Sequence, residues 1–186
     1  MDLQVGLKKL LRKGELSTEL DFQRASVIDR QMRLLVKEFP ELTEDRQQLR
    51  ALLKAYEDKH WVEQDVTDEK VRESDLAEHF AEQERVFLEK RKNAIKSKLK
   101  EKGLTQKDLG VILGHSSATY MSELMNGINP FTLNDLIVIH HLLNIELENL
   151  IPTILSGQVR TRVLGTISKL NNPLLKLSES DDLVLA

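Results

Sequence analysis

The chain has 186 residues, of which 31% are charged, 40% hydrophobic and 4% aromatic. It contains no cysteine, which excludes disulfides, thiol nucleophiles, zinc ribbons and iron–sulfur clusters. Glycine and proline (8 and 4 residues) are too few for the turns of a many-stranded protein, so the composition points to an all-α fold. No apolar run approaches the roughly 20 residues of a membrane helix. Lys8, Lys9 and Arg12 interrupt the apolar residues of the start, which therefore does not read as a secretory leader. A cytoplasmic protein with no membrane association is expected.

In chain order, Leu3, Leu7, Leu10 and Leu11 predict a short first helix, closed by Gly14. Phe22, Ala25, Ile28, Met32, Leu35 and Phe39 recur every three or four residues, the stripe of an amphipathic helix stopped by Pro40. Thr43 is expected to cap the next helix, whose stripe is Leu49, Leu52, Leu53 and Tyr56. Trp61 and Val62 close this unit. Thr67, followed by Asp68 and Glu69, signals a further N-terminus. From there Ala77, Phe80, Phe87, Leu88, Ile95 and Leu99 fit one long helix or a broken pair.

The formal net charge of −3 hides an asymmetry. Residues 1–87 carry 15 basic and 20 acidic side chains, whereas residues 88–107 carry 8 basic against 2 acidic. Residues 108–152 have no Lys or Arg and 5 acids. The basic block, which includes Lys96, Lys98 and Lys107, suits either a phosphate-tracking surface or a solvated helix face.

No constellation for catalysis stands out, and an enzyme is not expected. His140 and His141 are adjacent, so on a helix they diverge by about 100° and cannot chelate one ion together. No metal or other cofactor is predicted. The stretch KAYEDKHW, residues 54–61, gathers Tyr56, His60, Trp61 and four charges. It reads as an acid/base cluster or as partly buried aromatic anchors among solvated charges.

Residues 91–152 are punctuated as five short helices. The first is stopped by Gly103. Thr105 caps the second, Gln106–Leu113, with Asp108 at its third position. Ser116 or Ser117 caps a third, running to about Asn126 and ended by Gly127. Thr132 and Asp135 open a fourth, with Leu133, Leu136, Ile137, His140 and Leu143 along it. Leu147, Leu150 and Ile151 form a short fifth before Pro152. In the tail, Val159, Val163, Ile167 and Leu170 suggest a helical stripe, although the alternation over 159–163 also suits a strand. That tail is read either as a dimerisation or partner helix or as packing on the chain's own core.

The pattern LTQKDLGVILGHSSATYMSELMNGINPFTLNDLIVIHHLLNI resembles the phage-repressor-like (XRE, or Cro/repressor) helix-turn-helix family. The residues that carry it are Leu104-Thr105-Gln106, Asp108-Leu109, Leu113-Gly114, Ser122, Leu124 and Asn126-Gly127, then Leu136 and Leu143. The turn before the third helix is one residue longer than the commonest repressor spacing. That helix has no Arg or Lys, and Glu123 stands where a basic residue is common. Residues 20–62, ending in LRALLKAYEDKHW, are similar to the N-terminal helical region of HigA-type antitoxins, which precedes a C-terminal helix-turn-helix.

These resemblances imply an N-terminal helical region (1–87) for partner binding, a five-helix DNA-binding domain (88–152) and a C-terminal extension (153–186). They imply a repressor that binds operator DNA as a homodimer. As a HigA-like antitoxin it would also neutralise a small ribonuclease toxin, with Tyr56 and Trp61 as candidate contacts. Gln106 and Lys107 would meet phosphate, with Lys96 and Lys98 adding attraction. Ser116, Ser117, Thr119, Tyr120 and Glu123 would face base edges, Glu123 as an acceptor for cytosine N4, although Tyr120 equally suits a half-buried place beside Met121, and Glu123 a solvent-facing or intrahelical one. Asn126 and Asn129 would lie near the backbone. A stand-alone regulator, and an interaction module that has lost DNA binding, are the other readings.

Overall fold

The computed structural model describes residues 6–62, 67–155 and 157–177. Within them the chain is all-α, with eight α-helices and no strand. The chain divides into two compact units, 1–152 and 153–186. Among the described residues no helix is long and apolar enough to cross a membrane.

The first unit opens with α1 (Leu7–Lys13) and α2 (Glu19–Leu35). Leu3 of the expected first stripe lies outside the described residues. Gly14 ends α1 in the left-handed region, at φ 73°, where its amide returns to the Leu10 carbonyl. Thr18 caps α2 by accepting from the Asp21 amide. Ala25, Ile28, Met32 and Leu35 form its buried stripe. A 3₁₀ turn, Pro40–Leu42, then leads into α3 (Thr43–Glu57). Thr43 is not the cap that its position suggested. Pro40 starts helical winding early, so Thr43 is already helical and its hydroxyl donates back to the Pro40 carbonyl at 2.6 Å.

Helix α3 ends in a π-turn, Asp58–Val62. The next helix, α4 (Asp68–Glu101), is one unbroken rod of 34 residues, about 50 Å long. Thr67 caps it by accepting from the Lys70 amide. Because α4 runs straight through residues 87 and 88, the N-terminal helical region and the repressor-like segment share a helix. Its first half packs on α2, where Arg24 donates two hydrogen bonds to the half-buried Glu84 carboxylate. Its second half contributes Ile95 and Leu99 to a different core.

That second core is completed by α5 (Gln106–Ile112), α6 (Ala118–Met125) and α7 (Leu133–Leu143). Leu109, Met121, Leu124, Ile139 and Leu143 are buried there. The expected fifth helix is only a 3₁₀ turn, Leu147–Asn149. Asn144 is left-handed at φ 51°, and Pro152 disfavours helical geometry at Ile151. Too few residues remain between them for an α-helix. In the second unit, residues 157–170 form α8, with Val159, Val163 and Ile167 half-buried along it. The helical reading of that tail holds and the strand reading does not.

The aromatic cluster at the end of α3 is a joint in the fold. Tyr56 is 6% exposed and donates its hydroxyl to Glu19 at 3.2 Å. The Tyr56 ring stacks on Phe22 and on His60, with centroids 5.0 and 4.2 Å away. Ser74 on α4 also donates to Glu19, at 2.9 Å. Burial, then the Glu19 charge, push the Tyr56 hydroxyl well above the ordinary phenol range. Tyr56 therefore ties α2, α3 and α4 together and offers no surface to a partner, contrary to its expected role. Trp61 is half-buried, with the Lys70 ammonium 5.9 Å from its ring.

Candidate nucleic-acid interface

Local chemistry fixes the α5–turn–α6 unit. In a reciprocal capping box, Thr105 accepts from the Asp108 amide at 3.2 Å and Asp108 accepts from the Thr105 amide at 2.8 Å. The bonds from Thr105 hold the Asp108 carboxyl below its usual range. Gly114 turns the chain at φ 79°, and the His115 amide returns to the Gly110 carbonyl at 2.8 Å. Ser117, not Ser116, caps α6 by accepting from the Tyr120 amide at 3.1 Å. His115 meets Asp135 at 3.2 Å, which pins the turn to the start of α7.

The surroundings of α6 differ from one flank to the next. An α-helix turns about 100° per residue, so Ala118, Ser122 and Asn126 form one flank. Thr119 and Glu123 lie on the next, and Tyr120 falls about 200° round from Ala118. The first flank opens on a groove of about 400 Å³, walled by Lys92 and Lys96 from α4 and by Gln106 and Lys107 from α5. Leu35, Glu38 and Phe39 form its far side. The Tyr120 flank faces α1: the Lys8 ammonium sits 4.2 Å over the Tyr120 ring, and His115 meets that ring edge-on at 5.2 Å.

Between these flanks the expected reading face is covered. The Thr119 hydroxyl donates to Glu41, from the 3₁₀ turn, at 2.5 Å. That bond keeps the exposed Glu41 carboxyl below its ordinary pKa, in its charged form. All five residues from Met121 to Met125 are buried. Glu123 is 5% exposed and accepts from the Asn129 side-chain amide at 2.8 Å. Burial pushes its carboxyl up, opposed by Asn129 and by Lys8. Asn129 is itself 4% exposed, and its carbonyl oxygen accepts from the Lys8 amide at 3.1 Å. Neither Glu123 nor Asn129 is placed to touch DNA, which corrects both expectations. They are interior polar groups that join α6 to α1.

The remaining expected residues divide. Lys96, Gln106, Lys107 and Asn126 share the groove. The Asn126 amide donates to the Ser122 carbonyl at 2.8 Å. Lys98 stands apart from that groove's lining, paired with Glu101 at 2.7 Å. Ser116, Ser117 and Ala118 are exposed, so the N-terminal end of α6 is its free part. Sequence reasoning missed Lys8, Lys9, Arg12 and Glu41. The basic face of α1 was legible as a pattern, but no local signal tells that it docks beside residues 120–130. Among the described residues no group of acidic and histidine side chains is arranged to hold a metal ion. The chain matches no family model, no curated protein and no solved structure.

Proposed function

We propose that this chain is a DNA-binding transcription regulator of the helix-turn-helix class. It grips the duplex with the N-terminal end of α6, not with the flank of that helix. One observation carries the reading: the groove that sets Lys92, Lys96 and Lys107 beside Ala118, at the exposed tip of α6. Cations there meet phosphate while Ser116 and Ser117 face base edges. Serine hydroxyls serve many bases, so each tip specifies weakly, and a dimer on two half-sites supplies the missing selectivity. Pairing with a small ribonuclease toxin rests on the HigA-like sequence pattern, and of its two expected contacts only Trp61 is accessible.

The test is binding of the full chain to DNA from upstream of its own reading frame, across a salt series. Affinity falls by roughly 0.9 decades per decade of salt for each phosphate neutralised, and Lys96→Glu/Lys107→Glu abolishes binding to that DNA. Absence of any sequence preference at low salt overturns the reading. The burial of Met121–Met125 favours a second reading. In that reading the α5–α6 unit is a protein-interaction module, and the same experiment shows no DNA binding.

A further inference from the structure

Residues 108–152 contain no Lys or Arg, so α6 brings no cation of its own to a duplex. The groove supplies cations on one flank only. A helix tip in a major groove about 12 Å wide has a phosphate strand on each side. The other flank of α6 is occupied by α1, whose exposed Lys8, Lys9 and Arg12 line a notch of about 190 Å³ with Tyr120 and Pro130.

This placement is firmly built. The Leu7 amide donates to the Ile128 carbonyl at 2.8 Å, and the Lys8 amide to Asn129 at 3.1 Å. Leu7 and Leu10 are buried on the inner side of α1, which leaves the basic residues outside. Lys8 and Arg12 are four apart and share a face, with the Arg12 Nε donating to the Lys8 carbonyl at 3.1 Å. Lys8 rests over the Tyr120 ring, beside the tip of α6.

We infer that α1 is a second phosphate-contacting surface, on which Lys8, Lys9 and Arg12 hold the DNA backbone across α6 from Lys96 and Lys107. The inference rests on the DNA-binding reading and assigns it a site that the α5–α6 motif does not contain. It explains how a reading helix without cations can engage a polyanion: the charge is delivered from a helix more than 100 residues earlier.

The experiment uses the full chain, a fluorescent duplex from its own upstream region and a scrambled duplex of equal length, each over a salt series. Lys8→Gln/Lys9→Gln/Arg12→Gln is compared with wild type, with a charge-keeping Lys8→Arg/Lys9→Arg/Arg12→Lys variant and with Arg30→Gln/Arg33→Gln/Lys54→Gln as a charge-matched control. All are checked for unchanged melting temperature. The neutralised α1 variant is expected to bind the upstream duplex at least about tenfold more weakly, with its salt slope reduced by roughly 2 to 3. The charge-keeping variant and the control retain wild-type binding. Wild-type slope and affinity in the neutralised variant overturn the role of α1 and leave the DNA reading standing, as does an equal loss in the control. If wild type binds neither duplex at low salt, the DNA reading fails and the α1 site fails with it.

Discussion

The hydrogen bond from the Leu7 amide to the Ile128 carbonyl joins two residues separated by most of the first unit. Ile128 is fully buried and belongs with Leu7, Leu10 and Met32 to the N-terminal core, whereas Leu124 and Met125 belong to the second core. The loop after α6 is thereby part of the core built by α1 and α2. Together with the unbroken α4, this bond makes residues 1–87 and 88–152 structurally interdependent. The orientation of α1 beside α6 depends on it.

Gly6 is where that dependence can be tested. A Cβ at Gly6 would lie 2.6 Å from the Pro130 side chain and 2.9 Å from the Asn129 side-chain oxygen. Neither neighbour is the loose end of a long chain, so α1 must shift. Gly6→Ala is expected to destabilise the chain by about 1–3 kcal/mol and to speed hydrogen exchange at the Leu7 and Lys8 amides. Wild-type exchange at both amides would show that α1 is not seated on the 128–130 loop.

A pH-dependent cost resides at Glu123. Its pKa is raised in the fold by burial, so the folded chain holds that proton more tightly than the unfolded chain does. The resulting stabilisation is fully present below the ordinary Glu pKa and is lost as pH rises through the raised folded value. Above that value the carboxylate is charged and buried. Glu123→Gln keeps an oxygen for the Asn129 amide and removes the charge. The variant is expected to unfold at higher urea concentration than wild type at pH 8, with the difference closing toward pH 4. A difference that does not change with pH would contradict this account.

Much of this was written in short-range patterns. The Thr105–Asp108 box, the Gly114 and Gly127 turns and the Thr132–Asp135 start depend on residues three or four apart, and all three form where their spacing puts them. The stripe of α2 was equally local. What the patterns could not carry is which exposed-looking position becomes interior through a distant partner. Glu123 reads as a solvent-facing helix residue until Asn129, itself held by the Lys8 amide of α1, bonds to it. Tyr56 reads as a partly buried anchor with a face left for a partner until Glu19 and Ser74 arrive from other helices. The candidate site was thus legible on its α4–α5 side, through Lys96, Gln106 and Lys107. It was invisible on its α1 side, because that half is made by long-range packing alone.

Arg91 is the last case in which burial decides the outcome. Its side chain is 3% exposed, and its one hydrogen bond is a long one, 3.4 Å, to the Leu150 carbonyl. The Phe131 ring lies 5.2 Å from the guanidinium and the Phe87 ring 6.0 Å from it. Two such ring contacts offset the burial of the charge only in part. Desolvation lowers the guanidinium pKa to about 10, still well above neutral, so the side chain stays charged and its burial opposes folding. At neutral pH the cost is fully present, on the order of 3 kcal/mol. An apolar side chain of similar length would fill the space without it, as replacements of buried ions often do. Arg91→Met is therefore expected to be at least as stable as wild type in urea at pH 7, whereas Arg91→Ala, which leaves a cavity between α4 and the Leu147–Asn149 turn, is less stable than Arg91→Met by about 2 kcal/mol or more. If Arg91→Met unfolds at lower urea concentration than wild type, the guanidinium is stabilising α4 through its ring and carbonyl contacts, and burial of the charge is not a net cost.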